Sequence, residues 1–147
     1  MLKGPILHPG ILHALGRSGH GSKVLISDGN FPHWTTKGAN AEFVALNLAP
    51  GVLGVTEVLR VLALAIPIEA AAVMAPNKGG PYAMAGDPPI WDEYRKVLAG
   101  AGTPMELVPI ERFAFYEAAA GREVCLTIAT GEQKIYANLL LTIGVVR

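Results

Sequence analysis

His20 stands between Gly19 and Gly21, and this triplet is the first place in the chain suited to proton chemistry. A histidine titrates near neutrality, so it gives and takes protons at working pH. Its flanking glycines let the backbone turn tightly and let a ligand approach. The competing reading is a solvent-exposed histidine in a helix-ending turn, the commoner fate of this residue type. Asp28 follows an apolar run and precedes Gly29. It is either a hydroxyl acceptor or the carboxylate of an Asx-turn that caps its own backbone. Arg112 sits beside Phe113, Phe115 and Tyr116. Either it reads a ligand, or it pairs with Glu111 or Glu117 on the surface while the aromatics form a core stripe. Tyr136, Ala137 and Asn138 bring a phenol and a carboxamide close together, or else make a turn and open an edge strand. Side chains of this kind read hydroxyl groups. They include one certain cation and no phosphate cradle. His8 and His13 have no neighbours that suggest a role, and Cys125 reads as inert packing on a buried strand.

The elements that must position these groups follow from periodicity. Pro9–Ser18 reads as a helix with a first-turn proline and an inward stripe of Ile11, Leu12 and Leu15. Lys23–Ser27 reads as a buried strand, and Glu42–Leu48 as a second, ended by Pro50-Gly51. Thr56 is placed to cap a helix running to Ile66, where Pro67 breaks it. Glu69–Met74 is a third strand. Residues 75–89 hold four prolines and three glycines and no periodicity. They read as a long surface loop, of a length often used as a lid. Pro89–Leu98 is a helix closed by Gly100, Met105–Val108 a strand, and Glu111–Ala120 a short helix stopped by Gly121. Val124–Ile128 and Leu139–Val145 are the last strands. The alternation argues for an α/β domain, residues 1–147, with helices layered over a mostly parallel sheet of about six strands. The direct joining of the last two strands argues for mixed pairing at one edge. Ligands of such sheets bind beyond the carboxyl ends of the strands, and Asp28, Arg112, Tyr116, Tyr136 and Asn138 fall there.

Composition narrows the partners. Hydrophobic residues make up 51% of the 147, charged residues 16%, and the formal charge is zero. Such a chain buries a real core and fits an oligomer subunit. It has no basic field for nucleic acid or an anionic membrane. With one cysteine there is no internal disulfide, and no Cys/His pair has zinc-ligand spacing. The start of the chain has no apolar core of signal-peptide length, and Val61–Ile68, the longest apolar stretch, is too short to span a bilayer. The expectation is a cytoplasmic protein with no metal and no cofactor.

Four segments together resemble the RbsD/FucU family. They are Gly19-His20-Gly21, Ser27-Asp28-Gly29-Asn30-Phe31-Pro32, Arg112-Phe113-Ala114-Phe115-Tyr116-Glu117, and Thr130-Gly131-Glu132 followed by Tyr136-Ala137-Asn138. Each is weak alone, but their order and separation match over nearly the whole chain. The family contains ribose pyranases and fucose mutarotases. The resemblance implies an RbsD-like α/β fold and a homo-oligomeric ring, octamer or decamer, with sites between adjacent subunits. It implies His20 as proton donor and sugar contacts from Asp28, Arg112 and the Tyr136–Asn138 segment. The Arg112–Glu117 segment and the Phe31-Pro32-His33 loop look like the fucose branch. Ala137 departs from the glycine often found in fucose mutarotases, which bears on the sugar more than on the reaction.

Mutarotation needs only proton transfers. The ring oxygen gains a proton, the anomeric hydroxyl loses one, the ring opens to an aldehyde, and it closes on the other face. His20 is the group expected to exchange protons with the sugar, with Asp28 orienting the imidazole or binding a hydroxyl. Tyr116 or Tyr136 is expected to complete the opposite transfer. A phenol with a pKa of about 10 needs a cation such as Arg112 for that. Phe113, Phe115 and Trp34 are the expected apolar wall for the methyl group of a 6-deoxy sugar such as L-fucose. Three other readings remain: a D-ribose pyranase, a sugar-binding accessory protein without turnover, and a subunit whose apolar surface serves only assembly.

Overall fold

The protein is described from a computed structural model, over residues 1–146. Its elements in chain order are α1 (Pro9–Gly16), β1 (Lys23–Ser27), β2 (Glu42–Ala45), α2 (Val55–Ala63) and β3 (Ile68–Met74). There follow α3 (Ile90–Gly100), β4 (Leu107–Ile110), α4 (Arg112–Ala119), β5 (Val124–Ala129) and β6 (Leu139–Ile143). The six strands form one sheet in the order β2-β5-β1-β6-β3-β4. No helix among the described residues is long and apolar enough to cross a membrane.

β1 lies between two neighbours, so Val24, Leu25 and Ile26 are all fully buried. That explains why KVLIS carries no alternation: a central strand is covered on both faces. Helices α1, α2 and α3 cover one face, where Ile11, Leu59, Leu62, Tyr94 and Leu98 meet Ile26, Leu126, Leu139 and Leu141. The short α4 covers part of the other, packing Phe115 and Ala119 against Leu25, Met74 and Leu140.

β1, β5 and β2 run parallel, as do β3 and β4, while β6 runs antiparallel to both β1 and β3. The mixed pairing therefore lies in the centre of the sheet, not at an edge as the joined last strands suggested. β6 does not pair with β5 at all; it crosses over and fills the gap between β1 and β3. Its reversed direction has one consequence for function. Leu139, its first residue, pairs with Ile26 and Val73 near the carboxyl ends of β1 and β3. The Tyr136–Asn138 turn is thereby delivered to the edge where Asp28 and Met74 emerge.

Several boundaries differ from the sequence reading. Gly54, not Thr56, caps α2, with the Glu57 carboxylate accepting the Gly54 N–H at 2.9 Å. Thr56 lies within the first turn, and its hydroxyl donates to Glu93 on α3 at 2.8 Å. β4 sits two residues later than Met105–Val108, paired with Ala71–Met74. Glu111 is the N-cap of α4, accepting from the N–H groups of Phe113 and Ala114. His8, assigned no role from sequence, caps α1 through Nδ1, which accepts the Ile11 N–H.

Candidate functional site

An open cavity of about 260 Å³ lies at the carboxyl edge of β1 and β3. It is lined by Asp28, Asn30, Arg112, Tyr116, Tyr136 and Asn138, with Phe31, Met74, Tyr82 and Ile135 as its less polar surface. This is below the ~300–1,000 Å³ usual for drug-sized ligands, a size suited to one small ring.

Asp28 and Asn138 form the base. The Asp28 N–H donates to Asn138 Oδ1 at 2.9 Å, and Asn138 Nδ2 donates back to Asp28 Oδ2 at 3.0 Å. Asp28 Oδ1 accepts the Asn30 N–H at 3.0 Å. Both side chains are almost wholly buried. Burial pushes the Asp28 carboxyl above its ordinary value, because the charged form loses water; the N–H donors from Asn30, Ala137 and Phe31 and the Asn138 amide pull the other way. The pair joins residues 110 apart in sequence, and the antiparallel β6 alone makes that meeting possible. The Asx-turn reading of Asp28 also holds, through its bond to Asn30, so the two readings are not exclusive.

The wall comes from α4. Arg112 and Tyr116 are four residues apart and share a helix face. Arg112 Nε donates to Tyr116 Oη at 3.2 Å, and the guanidinium lies 5.6 Å from the Tyr116 ring centre and 5.9 Å from that of Phe113. The surface ion pair with Glu111 or Glu117 is not what forms. Phe31 packs on the Tyr116 ring at 5.4 Å between centroids. Of the expected apolar wall, Phe115 is corrected, because it is fully buried in the core; Phe31, Met74 and Ile135 line the cavity, and Phe113 and Trp34 are exposed on the surface of the chain.

The turn is held from behind by α3. Trp91 Nε1 donates to the Tyr136 carbonyl at 3.1 Å, and the Tyr94 hydroxyl to the Ala137 carbonyl at 2.6 Å. Tyr136 adopts φ 58°, a left-handed conformation that costs a non-glycine residue energy and persists only when its surroundings impose it. Lys134 adds an ion pair to Glu93 at 2.7 Å.

His20 is elsewhere. It precedes β1, whereas Asp28 follows it, and a strand advances about 3.3 Å per residue, so the two are roughly 15 Å or more apart. Asp28 of the same chain therefore does not orient His20. The imidazole instead meets Glu69 at the start of β3, with Nε2 at 3.1 and 3.0 Å from the two carboxylate oxygens. Both groups are well exposed. Sequence reasoning missed Glu69. Its only local signal is a carboxylate interrupting an otherwise apolar strand, and its partner comes from 49 residues away.

The chain matches known proteins along its length. Residues 1–146 fit the model of the RbsD / FucU transport protein family. It is 36% identical to the fucose mutarotase of Danio rerio, over 99% of this chain and 95% of that one. It is 33% identical to the fucose mutarotase of Homo sapiens, over 95% and 90%. Among solved structures, the fucose mutarotase of Streptococcus pneumoniae in complex with L-fucose superposes over the full length of both chains with a TM-score of 0.81 at 25% identity. FucU from Bifidobacterium longum does so with 0.78 at 33%, over 95% of each chain.

Proposed function

The chain belongs to the RbsD/FucU family, and from that premise we propose that it is a cofactor-independent isomerase interconverting the α and β anomers of free L-fucose. The observation that carries this reading is the hydroxyl-binding ring around the cavity, where Asp28, Asn138, Arg112, Tyr116 and Tyr136 converge beside Phe31 and Met74. The similarity to proteins named fucose mutarotase supplies the sugar.

Asp28 and Asn138 hold sugar hydroxyls. Tyr116 exchanges a proton with the sugar while the Arg112 guanidinium supports its oxygen. His20 acts from a second copy of the chain, with Glu69 orienting the imidazole. The enzyme is accordingly a cytoplasmic homo-oligomer whose sites lie between copies. Supporting this is the position of the His20–Glu69 pair at the edge of the sheet opposite the cavity, out of its own chain's reach. In the reaction the C1–O5 bond breaks as the ring oxygen is protonated and the anomeric hydroxyl is deprotonated. The aldehyde end rotates and the steps reverse. Acid–base groups of this kind contribute about 10²–10⁴-fold.

The test is anomer exchange measured by saturation-transfer NMR over a panel containing L-fucose and D-ribose. His20→Ala and Asp28→Asn are each expected to lose most of the exchange. Mixed oligomers of the two variants are expected to regain part of it, because some sites then pair an intact cavity with an intact His20. No recovery on mixing would place the whole reaction within one chain and refute the shared site. Faster exchange of D-ribose than L-fucose would favour the pyranase.

A further inference from the structure

Residues 77–84 leave the end of β3 and return within eight positions. The neck is closed by the Met84 N–H donating to the Asn77 carbonyl at 3.2 Å, and the tip by Ala83 N–H to the Gly80 carbonyl, also at 3.2 Å. Gly80 takes φ +87°, which the tight tip needs. Only Met84 of the segment packs against the core, half-buried beside the Phe115 and Tyr136 cluster. Lys78 to Ala83 are exposed, Tyr82 at 63%. Yet Tyr82 lines the cavity.

One side chain ties this segment to the base of the site. The Tyr136 hydroxyl accepts the Asn77 N–H at 3.1 Å and donates to the Tyr82 carbonyl at 2.7 Å. It thus spans the neck and the arm that carries Tyr82. Tyr136 does this from its strained left-handed conformation, with its own carbonyl held by Trp91. A segment with one packed residue and exposed backbone opens at little cost, so two hydrogen bonds to a single phenol decide its position.

We propose that residues 77–84 are a flap over the sugar cavity, with the Tyr82 ring as its wall against the sugar and the Tyr136 hydroxyl as its latch. An aromatic ring presents an apolar face that the C–H face of a pyranose covers well, while its edge leaves the sugar hydroxyls to Asp28, Asn138 and Arg112. The flap closes on the sugar that the proposed function assigns to this cavity, and it rests on that reading.

Trypsin reports the flap directly, because Lys78 lies in it and is exposed. Cleavage is followed by mass spectrometry of the fragments ending at Lys78 and beginning at Gly79. Tyr136→Phe is expected to speed this cleavage roughly tenfold without sugar, the effect of losing two modest hydrogen bonds in the closed form. Saturating L-fucose is expected to slow it several-fold in the parent. Tyr82→Ala is expected to raise the KM for L-fucose roughly five- to tenfold with kcat within twofold, and Tyr82→Phe to restore the parent value. Unchanged cleavage in Tyr136→Phe overturns the latch whether or not sugar binds. A parent that exchanges L-fucose anomers but is not protected by the sugar overturns the flap while the function stands. A parent that exchanges no anomers overturns the function and the sugar wall with it. A Tyr82→Ala enzyme with parental KM removes Tyr82 from the site.

Discussion

Replacing Asn138 by alanine removes both halves of a reciprocal contact. The Asp28 N–H loses its acceptor at 2.9 Å, and the Asp28 carboxylate loses a donor at 3.0 Å. Both residues are buried, so water does not readily take the vacated places. An unsatisfied buried N–H costs about 1–3 kcal/mol, and a hydrogen bond to a charged group contributes about 1.5–3 kcal/mol. The two losses are coupled and partly relax, so a destabilisation of about 2–4 kcal/mol is expected. For a chain of this size each kcal/mol moves Tm by roughly 2–4 °C, giving a fall of roughly 5–15 °C. Thermal unfolding at one fixed protein concentration measures it, since an oligomer's Tm depends on concentration. Losing the amide also removes one of the influences that hold the Asp28 carboxyl down, so its pKa rises further. The exchange of identities, Asp28→Asn with Asn138→Asp, separates geometry from charge. It keeps one amide and one carboxylate face to face and is expected to be more stable than the sum of its two single variants by at least ~1 kcal/mol. A Tm shift under about 2 °C for Asn138→Ala would refute the reasoning, because the pair would then be exchanging freely with water.

Further outcomes follow from the same structure. Tyr94→Phe leaves the Ala137 carbonyl without its 2.6 Å donor and is expected to cost about 1–3 kcal/mol, read as a lower urea midpoint at unchanged m. Burial drives the Tyr94 phenol well above its ordinary value, so it remains a neutral donor throughout the usual pH range. The Asp28 carboxyl titrates above the ordinary 3.8, so L-fucose affinity is expected to fall on acidification with a midpoint above that value. The sign for stability is opposite: the folded chain holds this proton more tightly than the unfolded chain. Asp28 therefore contributes stability below pH 3.8 that is lost as pH rises through its raised native value, and Asp28→Asn should flatten that dependence in pH-resolved unfolding. Gly131→Ala would place its Cβ on the carbonyl oxygens of Ala49 and Val52, the latter at 2.6 Å. Both are backbone atoms that do not swing away, so a loss of about 1–3 kcal/mol in denaturant unfolding is expected. Glu69→Gln, at an exposed pair, should change Tm by under about 2 °C yet lower the NMR exchange rate at least severalfold, because the carboxylate positions the His20 ring.

Local signals made the order and type of the elements legible. β1 matched its residues, and β3, β5 and both long helices were found within a few positions, because buried strands and amphipathic helices write their periodicity into neighbouring residues. β4 lies two residues beyond the periodicity's Met105–Val108 because Leu107–Ile110 includes a proline and two exposed residues, a pattern that only pairing along the edge of β3 makes into a strand. Residue type favours Thr56 as the α2 cap, but a backbone turn at Gly54 with the Glu57 carboxylate serves instead.

The sequence by itself marked the side chains suited to proton and hydroxyl chemistry: His20 in its glycine turn, Asp28 after an apolar strand, Arg112 and Tyr116 on one helix face, and Tyr136 to Asn138 before the last strand. Which of them meet was decided by the tertiary structure. β6 enters between β1 and β3 in the reverse direction, which brings Asn138 to Asp28 and lays Tyr136 under the 77–84 flap. The same strand directions place His20 beside Glu69 at the opposite edge, away from the cavity of its own chain. Strand order and direction arise from hydrogen bonds and side-chain packing between segments far apart in the chain, and no local window of sequence contains both partners of such a contact.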